Sequence, residues 1–227
     1  MYRGRILAIA DVPFAASGYG VQTNILMSRL AKRGWDVYQI GGNYWFTGAE
    51  EVDAEGCLHY NGIKVIRNFE IRTKGALGLY GSKEFQRRVF DDLQPDVVWT
   101  FNDFYRVAGL VEIGQDFLDR WVHYHPMDNP YGGGDWIRYM NCLRFLVFCS
   151  SFGWKTHAAP LSDVSFKDAL YLAVPGDVFR PLPDKDAVKE RHGLRGSFVI
   201  TTVGRHQPRK MIYQTAYAVG PFLQAHP

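Results

Sequence analysis

The opening residues set the strongest constraint on what this chain can fold into. Arg5 to Ala10 (RILAIA) is a short apolar run of strand type, and Asp11 to Gly20 is a loop carrying Pro13, Ser17, Gly18 and Gly20. From Val21 to Arg33 the apolar residues Val21, Ile25, Leu26, Leu30 and Ala31 keep helical spacing. Gly34 stands where a helix-terminating glycine belongs, and Val37 to Ile40 is a second apolar run. Strand, crossover helix and strand make a βαβ unit. Its two strands must lie parallel, in a sheet that needs helices on its faces.

The same rhythm continues. Asn61-Gly62 marks a hairpin between Cys57–Tyr60 and Ile63–Ile66. Ser82 is placed to cap a helix running to Leu93 with Phe85, Val89 and Phe90 inward, and Pro95-Asp96 ends it before a strand over Val97–Phe101. A helix is predicted over 105–117 and strands over Trp121–His125 and Phe145–Cys149. A helix should begin near Ser151, with a last strand over 168–172. The fold class is therefore α/β: a Rossmann-like parallel sheet with helices on both faces, followed by an incomplete second unit of the same kind. Residues 1–175 are expected to form the first domain and 176–196 a linker with a short charged helix, because Pro175-Gly176 and Pro181-Leu182-Pro183 punctuate that stretch. Residues 197–227 are expected to open a second domain with a strand over 197–203 and a helix over 213–224. One strand and one helix bury too little to stand alone, so the chain is expected to be a fragment of a longer protein.

Composition narrows the function classes. Of the 227 residues 47% are hydrophobic and 22% charged, which suits a packed globular domain and excludes disorder. A formal charge of +3, with no basic run, points away from nucleic acid. Three separated cysteines imply reduced thiols and a cytoplasmic setting. Lys64, Arg67, Arg72 and Lys74 leave peripheral membrane contact, or contact with an anionic acceptor, as an expectation.

Several constellations can carry chemistry. Gly18-Tyr19-Gly20 lies between a strand and a helix, where an α/β sheet binds phosphate, although neither a dinucleotide fingerprint nor a P-loop is present. His123 and His125 fall on one face of a strand by its period of two, at its C-terminal end, with Asp128 just beyond. Asn102 and Asp103 end the neighbouring strand, and with Asp11 they suggest one polar crevice. Val203-Gly204-Arg205 to Lys210 puts a guanidinium and an ammonium in a turn before a helix, a combination suited to phosphate oxygens.

In this order the motifs resemble the nucleotide-sugar glycosyltransferases of GT-B fold, in particular the large retaining family 4-like group. Ser17–Gly20 with Leu30–Val37 resembles that family's glycine loop and helix exit. Gln94-Pro95-Asp96-Val97-Val98 is similar to its x-P-D-V-V strand, and Cys149–Gly153 to its S-x-F segment. Val174–Pro181 resembles its interdomain motif, and Val203-Gly204-Arg205 with Lys210 its V-G-R-x-x-x-x-K. The resemblance implies retaining transfer of a sugar from a nucleotide-diphosphate donor to a glycan, lipid or small-molecule acceptor, with no metal and no further cofactor. It also implies residue roles. Arg205 and Lys210 would neutralise the diphosphate, Gly18 and Gly20 would approach it from the first domain, and His125 or His123, with Asp128, would stand near the donor sugar. Two other readings remain open from the residues: a non-catalytic binding or scaffold module of the same fold, and a metal-dependent hydrolase using His123, His125 and Asp128.

Overall fold

The computed structural model describes residues 3–44, 46–68, 78–127, 136–157, 159, 161, 164, 166–204 and 206–226. The chain divides into two compact units, Met1–Pro175 and Gly176–Pro227.

In the first unit β1 (Arg5–Asp11), α1 (Gly18–Lys32) and β2 (Asp36–Gly42) form the βαβ unit. A hairpin follows, β3 (Cys57–Tyr60) and β4 (Ile63–Ile66), closed by Asn61 and Gly62 at positive φ. Then come α2 (Lys83–Leu93), β5 (Val97–Phe101), α3 (Phe104–Ile113), β6 (Trp121–His125), α4 (Trp136–Asn141), β7 (Phe145–Phe148), α5 (Ser151–His157) and β8 (Phe166–Ala169). The eight strands form one sheet in the order β3-β4-β2-β1-β5-β6-β7-β8, parallel throughout except for the β3–β4 edge pair. This is a Rossmann-like sheet.

Its interior follows the period of two. Leu7 and Ile9 of β1 join Val98, Leu146, Phe90 and Trp121 on one side of the sheet. Ile6, Ala8 and Ala10 join Val37, Trp99, Phe101 and Met27 on the other. Both faces of β1 are shut from water, so its run is apolar at every position. Caps fix the helix starts: Ser17 accepts the Gly20 N–H and Ser82 the Phe85 N–H.

Three local expectations differ from the structure. The helix predicted over 105–117 stops at Ile113, and Gln115–Arg120 continues as a tighter 3₁₀ turn. Gly114 lets this happen, because a Cβ there would lie 2.7 Å from the Trp121 ring and 3.0 Å from that of Phe90. The last strand of the sheet occupies 166–169 rather than 168–172. Ala173 is instead held by Gln22 of α1 through two hydrogen bonds, of 2.7 and 2.9 Å.

In the second unit α6 (Lys185–Arg191) and α7 (Ile212–Ala225) form, but residues 197–203 are not a strand. They are exposed, and no described segment pairs with them. A β-run without a ladder partner has no place for its N–H and C=O groups except water.

Among the described residues no helix is long and apolar enough to cross a membrane. Lys64 does not face a lipid surface freely, since it pairs with Asp36 at 3.2 Å and Glu55 at 3.6 Å and donates to the Tyr38 hydroxyl. Arg72 and Lys74 lie outside the described residues.

The loop glycines separate by steric role. A Cβ on Gly20 would lie 2.6 Å from the Val12 carbonyl oxygen and 2.8 Å from that of Ala15, whereas one on Gly18 would meet nothing. Gly20→Ala is therefore expected to destabilise the protein by about 1–3 kcal/mol despite its better helix propensity. Gly18→Ala should be neutral or slightly stabilising. Chemical denaturation of the two variants checks this, and equal stabilities would contradict it.

Candidate active site

β1 sits between β2 and β5; the chain builds outward on the β2 side to β3 and then crosses back through α2 to β5 on the other side. The C-terminal ends of β1 and β5 therefore flank the crossover point where open α/β sheets accept ligands. Polar residues collect there. Asp11, 4% exposed at the end of β1, accepts the Ser17 hydroxyl at 2.6 Å and the Asn43 amide at 3.4 Å. Asn102, directly after β5, donates to the Tyr80 hydroxyl at 2.7 Å and accepts the Asp103 N–H. Asp103 in turn accepts the Tyr19 hydroxyl at 2.8 Å. Burial, and then the hydrogen bond to Asp103, push the Tyr19 phenol up. Burial and the nearby Asp11 charge do the same to Tyr80. Both phenols therefore stay protonated at any physiological pH.

These contacts change the meaning of the glycine loop. Gly20 is required by packing, so of the pair only Gly18, exposed at the first position of α1, has room for a ligand. The positive end of α1 already faces an anion, because Ser17 caps the helix and gives its own proton to Asp11. With Asp11 and Asp103 both present, the crevice is built for hydroxyl donors more than for phosphate.

At the end of β6 the two histidines form a connected pair. His123 is fully buried; its Nδ1 lies 2.8 Å from the Thr100 hydroxyl and its Nε2 3.2 Å from His125 Nδ1. The Trp121 indole N–H donates to that same hydroxyl at 3.0 Å. No ring nitrogen of His123 is left for a substrate or a metal. Of the two rings expected beside the substrate, His123 is an interior one.

His125 differs. Its ring is 4% exposed, stacked with Trp136 and set against Phe148 and Phe104, and among the described residues its Nε2 has no hydrogen-bond partner. A buried polar nitrogen left unpaired costs about 1–3 kcal/mol, a cost found where a ligand completes the pairing. Burial, reinforced by His157, pulls the His125 pKa down to about 3. Burial and then His125 pull His123 well below its usual value, against the opposing pull of the Thr100 backbone carbonyl. Both rings are neutral at physiological pH.

In the second unit Lys210 ends a 3₁₀ turn, Pro208–Lys210, and is exposed. α7 starts directly afterwards from Met211 with no side-chain cap. Arg205 and Asp128 lie outside the described residues. Among those residues Asp53, Glu55 and Cys57 place ligand atoms within 4.8 Å of one another. Asp53, however, is already engaged by the Glu55 and Cys57 N–H groups and by His59, as the turn that starts β3.

Thr100, Trp121, Tyr19 and Tyr80 carry no sequence signal of a place at the site. Thr100 reads as one more β-branched strand residue, Tyr80 adjoins a stretch with no periodic pattern, and Tyr19 is flanked by the two glycines of the loop.

No protein-family model matches the chain, and no curated protein matches it. Among solved structures, trehalose-6-phosphate from E. coli bound with UDP-2-fluoro glucose aligns over 83% of this chain and 54% of that one, at 12% identity and a TM-score of 0.46. The chain thus spans about half the length of the structure it matches. A likeness of that degree carries no functional weight.

The neutral histidines make stability depend on pH. A ring whose pKa falls from 6.5 unfolded to about 3 folded binds its proton only on unfolding between those values. Its stabilising contribution is therefore complete above about pH 6.5 and is lost as the pH falls, by about 1.4 kcal/mol per pH unit for each such ring. Urea denaturation between pH 7.5 and 5, above the range where carboxylates titrate, should show this slope. His125→Gln should make it shallower. An unchanged slope in that variant would contradict the neutral burial of His125.

Proposed function

We propose that this chain belongs to a GT-B glycosyltransferase of the retaining, family 4-like kind. It would move a sugar from a nucleotide-diphosphate donor to a hydroxyl-bearing acceptor. The observation that carries the reading is the buried Nε2 of His125, without a partner among the described residues, at the C-terminal end of β6, in a sheet whose neighbouring strand ends present Asp11, Asn102 and Asp103. The order of motifs from Ser17 to Lys210 supports it.

Residues 1–175 would then be the acceptor-side domain, 176–196 the linker, and 197–227 the beginning of the donor-side domain. In the transfer the bond between the anomeric carbon and the diphosphate oxygen breaks, and the diphosphate leaves with the electron pair. The acceptor oxygen bonds to the anomeric carbon and gives its proton to the departing diphosphate. Arg205 and Lys210 stabilise the departing charge without a metal, the largest contribution available when a diphosphate leaves. Gly18 lets backbone approach the donor. Carboxylates such as Asp11 and Asp103 suit hydroxyls of an acceptor, and Asp128 adds a third near the donor sugar. His125, neutral and buried, holds a ligand oxygen by hydrogen bonding rather than by proton transfer. The hydrolase alternative loses ground because both ring nitrogens of His123 are occupied.

Calorimetric titration of a protein that carries the complete donor-side domain with UDP-glucose, GDP-mannose and ADP-glucose tests the proposal. One of the three is expected to bind, and Lys210→Ala to weaken it about tenfold or more, the scale of a charge-assisted hydrogen bond. His125→Ala should weaken it by a smaller factor, about fivefold, as for a neutral hydrogen bond. Failure of all three donors to bind would reject the reading.

A further inference from the structure

The hydrogen bonds around His125 form a continuous chain with a fixed donor at one end. An indole N–H only donates, so Trp121 Nε1 gives its proton to the Thr100 hydroxyl oxygen, 3.0 Å away. The Thr100 hydroxyl keeps one proton of its own, and its neighbour at 2.8 Å is His123 Nδ1. Among the described residues this is the hydroxyl's one side-chain acceptor. If Nδ1 of neutral His123 accepts, the ring's proton sits on Nε2. That nitrogen lies 3.2 Å from His125 Nδ1, which must then accept as well. The His125 proton is thereby placed on Nε2, the buried nitrogen with no partner among the described residues. Once the Thr100 hydroxyl donates, each later step follows from the one before.

We propose that Trp121, Thr100 and His123 are positioning residues that hold His125 in the tautomer protonated at Nε2. The protein then presents a fixed, uncharged N–H donor to a ligand oxygen at the end of β6. The direction is inferred from these contacts and does not depend on the function proposed above. That the oxygen belongs to a sugar or its phosphate rests on the function proposed above.

The surroundings hold the ring in place. The Trp136 ring stacks on His125 at 6.1 Å between centroids, Phe148 meets it edge-on at 5.9 Å and Phe104 at 6.4 Å. His157 meets Trp136 edge-on at 5.5 Å. With aromatic rings about it, His125 has little freedom to turn its Nδ1 outward. The competing arrangement runs the chain backwards. His123 Nδ1 would give its proton to the Thr100 backbone carbonyl, His123 Nε2 would accept from His125 Nδ1–H, and a bare Nε2 would face the ligand.

Nitrogen-15 NMR of the imidazoles in the full chain distinguishes the two, since protonated and bare ring nitrogens resonate far apart. The expected result at pH 7 is a protonated Nε2 and a bare Nδ1 on both His123 and His125. Thr100→Val should turn the His125 signals into a mixture of tautomers, and Thr100→Ser should restore the single one. A bare Nε2 on His125 in the unmodified protein would overturn the proposal, as would a Thr100→Val protein with unaltered tautomers. The spectrum of the unmodified protein decides the direction even if Thr100→Val fails to fold. It needs no donor, so failure of the relay and failure of the transferase reading are separate results.

Discussion

Burial of β1 on both faces is the constraint from which the rest of the first unit follows. A parallel strand with helices over each side has no dry position for a charge, and residues 7–10 are all fully buried. Charged and hydrogen-bonding groups are therefore displaced to the strand ends. At the C-terminal edge the loops diverge around the crossover between β2 and β5, and backbone and side chains there can still reach water or a ligand. Asp11 marks the point where β1 changes from core to site. Its side chain orders the following loop through Ser17 while its main-chain carbonyl accepts the Gln39 amide at 2.8 Å. The residue that ends the strand also ties the glycine loop to it.

The buried polar groups between β5 and β6 are held by one another. Thr100 and His123 face each other in the register of β5 and β6, and the Trp121 indole shares their hydroxyl. Such a network is tolerable only when its members are satisfied, since a low-dielectric interior makes each unpaired donor expensive. Among the described residues this network closes except at its outer end, His125 Nε2. Placing the single deficit at a strand end rather than mid-sheet puts it where a ligand can remove it. A structural role alone would have been served as well by an apolar pair.

Much of this architecture was readable from local signals. The βαβ unit, the Asn61-Gly62 hairpin and the Ser82 cap each rest on few residues whose preferences are strong and short in range. The expectations that moved depend on distant partners. The helix after Phe104 ends because Gly114 must admit Trp121 and Phe90, which only packing brings together. The run over 197–203 has the composition of a strand, yet composition does not supply a partner for its backbone. At the site, period two put His123 and His125 on one face, but their difference depends on Thr100, which belongs to another strand. The same pattern hides Tyr19: its hydroxyl matters because Asp103, 84 positions on, accepts it.

Electrostatics limits what chemistry the His125 position can do. Charging a ring that is packed among Trp136, Phe148 and Phe104 and next to a second imidazole would bury an uncompensated cation, so the ring stays neutral far below physiological pH. A group with a pKa near 3 is a poor proton acceptor and, when neutral, a poor acid, so it contributes little as an acid–base catalyst at neutral pH. What it supplies is a fixed dipole. A pre-oriented N–H in a dry site needs no reorganisation when charge develops on an oxygen beside it, and that is where such donors contribute most. Lowering the pKa of the pair thus does not disable the site; it commits His125 to hydrogen bonding.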